Sequence, residues 1–292
     1  MSYLSTAVLA LSLALPATTV FPAVPATAPG IGVPAPSVQQ AHHVYIGPDG
    51  EPLPFENDEA IVDFLRTADI IGRTEIDTGI NQTWKLLMEK DGVRAHAIFR
   101  EVDFVEKNHR VGPIFFLFFR DSYIFDCAAY EMAVLLGMDN VPPAILRRVE
   151  RTDGSVQLWI EGTHRVDAAD FHPPGALAWA RQLWTMSLFD ALIYNVDRNT
   201  GNLMADDDYK LWLIDHGRGF QRKSDLLNID QVPMVDRRIW ERLRDLDEAT
   251  IRAAMGDYLA SEEVAYLLER HRKLVDHINK RIEERGEQSV LF

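Results

Sequence analysis

The stretch NVDRNTGNLMADDDYKLWLIDHGRGF, Asn195 to Phe220, decides how this chain is read. It holds Asp197, then Asn202 five residues later, then Asp215 at the end of an apolar run, thirteen residues beyond Asn202. Ordinary loops have no need of two acids and an amide so arranged. A site that orients a hydroxyl nucleophile and holds divalent cations on a nucleotide's phosphates does need them. Singly, each residue also fits turn chemistry or a cap. The set, in its spacing, points to a nucleotide site.

Working outward, the segment PGALAWARQLWTMSLFDALIY (174–194) is apolar at helical period and runs straight into the loop. KLWLID alternates like a strand and is expected to pair with NLM across Asp206 to Asp208, which read as a solvated turn. Asp197 and Asn202 then lie on a loop after a helix, and Asp215 at the end of a strand. Upstream, NDEAIVDFLRTADII (57–71) reads as an amphipathic helix capped by Asn57. TWKLLMEKDGVRAHAIFRE (83–101) reads as a hairpin turning at Asp91-Gly92, and LRRVERTDGSVQLWIE (146–161) as another turning at Asp153-Gly154. Between them, IFDCAAYEMAVLLG (124–137) puts its apolar residues on one helical face and stops at Gly137. Beyond Asp236 the chain reads as helical, notably from a Ser261 cap to Gly286.

This order predicts an α+β, two-lobed protein-kinase-like fold. A small β-rich N-terminal lobe with one main helix would span 44–160, and a mostly helical C-terminal lobe 161–292. D-x-x-x-x-N is the spacing of kinase catalytic loops, and Asp215 in L-I-D-H-G stands where kinases keep the D-F-G aspartate. Asp197 is thus the expected base or nucleophile-orienting group, and Asn202 and Asp215 the expected ligands for Mg2+ or Mn2+. Hard oxygen donors suit these ions, and the phosphates complete the shell. His216 takes the place of the usual phenylalanine. Asn195 and Arg198 are expected to brace the loop, since an arginine beside a catalytic carboxylate more often fixes geometry than does chemistry.

FDALIYNVDRNTGN followed by LWLIDHGRGF resembles the secretory-pathway kinases of the Golgi casein kinase and four-jointed group, in which a helix enters an N-x-D-R loop and a strand leads into I/L-D-x-G-R-G-F. The likeness extends to the 83–101 hairpin and to FDCAAYEMAVLLGMDNVPP, covering roughly Gly79 to Phe220; phosphatidylinositol kinases and HipA-type bacterial kinases are similar more distantly. The resemblance implies transfer of a phosphoryl group from ATP to a hydroxyl. Arg100 stands where the group's strand carries lysine and Asp126 where its helix carries glutamate, so this pair would hold the nucleotide phosphates, with Glu131 a rival acid on the same helix. Lys85 and Lys107 are weaker candidates for the cation. Backbone N–H groups from Gly79 to Gln82 would cover the phosphates, and the adenine would sit near the lobe junction, Leu158 to Gly162, making Glu161 a nucleotide-contact candidate. A nucleotide-binding pseudokinase and a nucleotidyl transferase on the same scaffold remain alternatives, and the motifs leave the acceptor open between protein, glycan and lipid hydroxyls, with protein or glycan favoured.

Composition narrows the partners. A formal net charge of −14 argues against nucleic acid and anionic membranes, which require a basic surface, and favours a basic acceptor. Cys127 is the only cysteine, which excludes an intrachain disulfide and a cysteine-based zinc cluster and fits a bacterial relative of the group. The first 48 residues carry no Asp, Glu, Lys or Arg. Their apolar run, Ala7 to Leu15, is too short to span a bilayer but suits a signal peptide cleaved near Ala26 or Ala28, with a Pro/Ala-rich linker following to residue 43. Export is the expectation, although the usual basic start is missing.

Overall fold

The computed structural model describes residues 43–76, 83–168 and 171–292. The expected leader at 1–43, apart from His43, and the Gly79 to Gln82 lid lie outside the described residues. Helix α1 (Asp58–Thr67) begins where Asn57 accepts the Ala60 N–H at 2.9 Å. It ends at Thr67, short of Ile71, because the chain from Asp69 is taken up as strand β1 (Asp69–Ile76). That strand pairs antiparallel with β2 (Thr83–Lys90). Pairing wins there over helical continuation, as suits the β-branched Ile70-Ile71.

β2 and β3 (Val93–Arg100) form the hairpin expected at Asp91-Gly92, both at positive φ (52° and 81°). A two-residue turn asks that of its central residues. Alternation buries Leu86, Met88, Ala95, Ala97 and Phe99 in one apolar cluster with Ile61, Phe64 and Leu65 of α1. The hairpin β4 (Asp103–Val111) and β5 (Ile114–Ser122), which the sequence reading did not anticipate, stands apart as a two-stranded ribbon. Helix α2 (Ile124–Leu136) follows, closed by Gly137 at φ 66°. β6 (Ala144–Val149) and β7 (Thr152–Leu158) complete a five-stranded sheet ordered β1-β2-β3-β7-β6.

The β6–β7 turn falls at Glu150-Arg151, with Glu150 at φ 54°, and not at Asp153-Gly154. Gly154 lies inside β7 for a different reason. A Cβ there would sit 2.3 Å from the Phe99 ring and 2.4 Å from the Arg100 carbonyl, so only glycine admits the close strand approach.

The helical lobe holds α3 (Ala176–Ile193), α4 (Arg237–Asp245), α5 (Glu248–Met255) and α6 (Ser261–Arg285). Ser261 is the first helical residue and not the cap; the Glu263 carboxylate instead accepts the Ala260 N–H at 2.9 Å. At the junction a small sheet orders β10 (Leu211–Leu213), β9 (Leu203–Ala205) and β8 (His164–Arg165). Asp207 and Asp208 are exposed as expected. Asp206 is instead committed, accepting from the N–H groups of Asp208 and Lys210 and from Trp212 Nε1 at 3.1, 2.9 and 3.0 Å.

α2 belongs to the larger apolar cluster: Phe125, Met132 and Leu136 share it with Phe189, Trp240 and Leu267. In turn, Trp212 of β10 joins the cluster under the five-stranded sheet. Each lobe thus inserts one element into the other's core. Among the described residues no helix is long and apolar enough to cross a membrane.

Candidate active site

The loop after α3 is built around an acid. Asp190, buried in the last turn of α3, takes both Arg198 Nε and Nη2 at 2.8 and 2.9 Å, and Asn195 Nδ2 at 3.2 Å. A two-pronged pair of this kind fixes orientation as well as charge. Arg198 Nη1 then donates to the carbonyls of Asn202 and Ile214 at 3.1 and 2.9 Å, tying the loop to the strand end that carries Asp215. Tyr194, left-handed at φ 54°, lets the chain leave the helix, and Asn195 Oδ1 accepts the Asp197 N–H at 3.1 Å.

Asn202 donates its amide nitrogen to the Asp197 carbonyl at 2.8 Å, which leaves its amide oxygen as the side chain's acceptor atom. Asp215 sits at φ 62° with its side chain 38% exposed, so a sharp backbone turn delivers a solvent-facing carboxylate. Asp197 Oδ2 meets Arg218 Nη1 at 3.1 Å, and Arg218 Nε meets Asp121 Oδ2 at 2.9 Å. Burial raises the pKa of Asp197, Arg218 opposes that, and the Asp215 charge adds to it. The two acids are therefore within electrostatic reach of each other.

Arg100, at the end of β3, places Nη1 between two acids. It contacts Asp215 Oδ1, and Asp126 Oδ2 at 3.5 Å. Burial works against its charge, but Asp215 and Asp126 outweigh this and push its pKa up. Asp126 is almost fully buried on α2, and its other oxygen accepts the His216 N–H at 2.8 Å. Burial pushes its pKa up to about 6, with Arg100 pulling the other way. His216 is wholly buried, edge-on to Phe189 at 5.8 Å, and neither ring nitrogen has a partner among the described residues. Burial, then the charges of Arg198 and Arg100, hold its pKa well below the usual value.

Asp197, Asn202, Asp215, Arg100 and Asp126 are thereby brought into one connected set. Glu131 is turned away from it and accepts from Tyr258 Oη of the helical lobe at 3.3 Å. Glu161, in the turn after β7, lies elsewhere, against His96 Nδ1 and 3.6 Å from Lys85 Nζ, which stands 4.2 Å over the Trp159 ring. Lys107 lies on exposed β4, 5.8 Å over Phe118. The sequence reading missed Asp190, Arg218 and Asp121. Asp190 carried a signal, an acid inside an apolar helix; Arg218 lay in the quoted G-R-G-F; Asp121 had none.

No cluster of three or more His, Cys, Asp or Glu side chains capable of holding a metal occurs among the described residues. One carboxylate and one amide oxygen make an incomplete shell, which is the donor set expected where phosphates supply the rest.

The profile of the family described as Golgi casein kinase, C-terminal, Fam20 matches residues 178–284. Among curated proteins, none matches the chain by sequence. A hydra Fam20 solved with sugar superposes at TM-score 0.62 and 14% identity, covering 80% of this chain and 91% of that one. The Golgi casein kinase superposes at TM-score 0.58 and 16% identity, covering 80% of this chain and 77% of that one. Its structure with Mn and ADP bound gives TM-score 0.57 and 15% identity over 80% and 78%. At such identities the structures establish a shared fold.

Proposed function

We propose that this chain, whose helical lobe matches the Golgi casein kinase family at residues 178–284, is an ATP-dependent, kinase-like phosphotransferase that uses Mn2+ or Mg2+. One observation carries the assignment of roles: Arg100, Asp126 and Asp215 form one charged chain across the cleft, and Arg198 ties Asp215's strand to the loop of Asp197 and Asn202. Asp215 and the Asn202 amide oxygen would hold the metal, which would supply positive charge to the nucleotide's phosphates. Arg100 lies in reach of the same phosphates, kept there by Asp126. Asp197 orients the acceptor hydroxyl and takes its proton, as that oxygen bonds to the γ-phosphorus and the bond to the bridging oxygen breaks, with ADP leaving.

The acceptor is a protein or glycan hydroxyl. The relatives solved with Mn and ADP and with sugar are in keeping with that range. The apolar, uncharged segment read as a leader at 1–43 makes export part of the same proposal. Slow ADP formation from ATP with Mn2+, in the absence of any acceptor, tests the reading. Asp215→Ala is expected to abolish both ADP formation and metal-dependent ATP binding, because the carboxylate is the main protein-held counter-charge to the cation. Unchanged ATP affinity in Asp215→Ala removes Asp215 from the site.

A further inference from the structure

The geometry points to Arg218 as the residue that positions Asp197, held for that task by Asp121 at the end of the β4–β5 ribbon. This rests on the phosphotransferase reading and adds a part to it. Arg218 offers two edges of one planar group to two carboxylates: Nη1 to Asp197 Oδ2 at 3.1 Å and Nε to Asp121 Oδ2 at 2.9 Å. With Oδ2 engaged, Asp197 keeps Oδ1 for the acceptor hydroxyl, where among the described residues Asn199 Nδ2 donates to it at 3.4 Å.

Asp121 is 6% exposed and has a second anchor to the same segment. The adjacent Ser122 N–H donates to the Gly217 carbonyl at 2.8 Å. A Cβ on Gly217 would lie 2.9 Å from Asp121 Oδ1, so glycine there is what lets the ribbon close on the segment. Gln221 completes the grip: its Oε1 accepts the Arg120 N–H at 3.2 Å and its Nε2 donates to the Arg120 and Gly219 carbonyls at 2.6 and 3.2 Å. Phe116 and Phe119 of β5 pack on Tyr194, at the start of the Asp197 loop. Without Asp121, the guanidinium would be free to swing toward Asp215, whose charge it already feels. Asp121 therefore acts through Arg218, and Arg218 through Asp197.

The test compares wild type with Arg218→Ala, Arg218→Lys, Asp121→Asn and the Arg218→Ala/Asp121→Asn pair in the full chain. ADP formation with Mn2+ gives turnover and KM for ATP, and calorimetry gives the affinity for ATP with Mn2+. Arg218→Ala is expected to lower turnover about 30-fold with ATP affinity and KM within about twofold, since a positioned group is lost and no nucleotide contact is. Arg218→Lys should recover part of this, because an ammonium reaches one carboxylate but lacks the fork for both. Asp121→Asn should lower turnover about fivefold and add nothing to Arg218→Ala, as expected of residues acting in series. Turnover in Arg218→Ala equal to wild type, losses that multiply in the pair, or a parallel collapse of ATP affinity and melting temperature would each overturn the proposal. A wild-type chain that binds ATP with Mn2+ and forms no ADP would overturn the phosphotransferase reading itself, and this proposal with it.

Discussion

Two hairpins stand next to each other in the chain and are used in opposite ways. β2–β3 lies in the middle of a five-stranded sheet, and its inward residues Leu86, Met88, Ala95, Ala97 and Phe99 are buried to within 1% of exposure. Among the described residues β4–β5 pairs only with itself, leaving Val105 and Leu117 each 60% exposed and Phe104, Phe115 and Phe118 about 40% exposed. Yet each ends at the site. β3 delivers Arg100 to Asp215 and Asp126; β5 delivers Asp121 to Arg218 and so to Asp197. On the proposed function, a core strand would serve the nucleotide half of the chemistry and a surface ribbon the acceptor half. Stability and catalysis should therefore separate between the two.

The largest expected effect is on folding. Phe99→Ala should cost about 3–5 kcal/mol by urea denaturation, the range for truncating a buried phenylalanine, whereas Leu117→Ala should stay within about 0.5 kcal/mol. Equal losses would mean that the ribbon is as much part of the core as β3. Next comes turnover. Asp197→Asn should lower ADP formation about 100-fold or more, the range for a lost general base, while calorimetry finds ATP affinity within about twofold. A loss of affinity as large as the loss of rate would make Asp197 a structural residue.

On the nucleotide side, Arg100→Ala should weaken ATP binding about tenfold, a charge-assisted contact's worth, and Asp126→Ala less. Their double mutant should fall short of the sum, since the two share one contact. Additive losses would separate Arg100 from Asp126. The smallest effect concerns pH. Burial raises Asp126 from 3.8 to about 6, so the folded protein keeps a proton that the unfolded chain releases. Its contribution to stability declines as pH rises from about 4 to about 6 and is level above that. The difference in melting temperature between wild type and Asp126→Asn, followed across that window, should show this decline in wild type alone.

What could be read in the sequence divides along the same line. Alternation over 83–101 marks β2 and β3 because one face is buried, and Arg100 could be placed from the end of that pattern. The ribbon's DFVEKNHRV and IFFLFFRDS carry no such period, since neither strand has one dry face and one wet face along its length. Asp121 was therefore invisible, and Arg218, although it lay within the quoted motif, could not be given its role without that partner. The misplaced turn has a similar origin. Asp-Gly signals a left-handed turn, but Gly154 is glycine because Phe99 crowds it, and the left-handed residue is Glu150. Local spacing singled out Asp197, Asn202 and Asp215 as candidates, whereas partners at 97 residues' separation, as Asp121 is from Arg218, come together only in the fold.

The central claim is that a γ-phosphoryl group moves, and the label decides it. Purified protein is given Mn2+ and ATP labelled separately at the γ- and α-phosphates, with peptide and glycan acceptors, and label is followed into protein and acceptor. The site as described predicts incorporation from the γ-labelled pool alone, lost in Asp215→Ala. Incorporation from the α-labelled pool would establish nucleotidyl transfer and contradict the account.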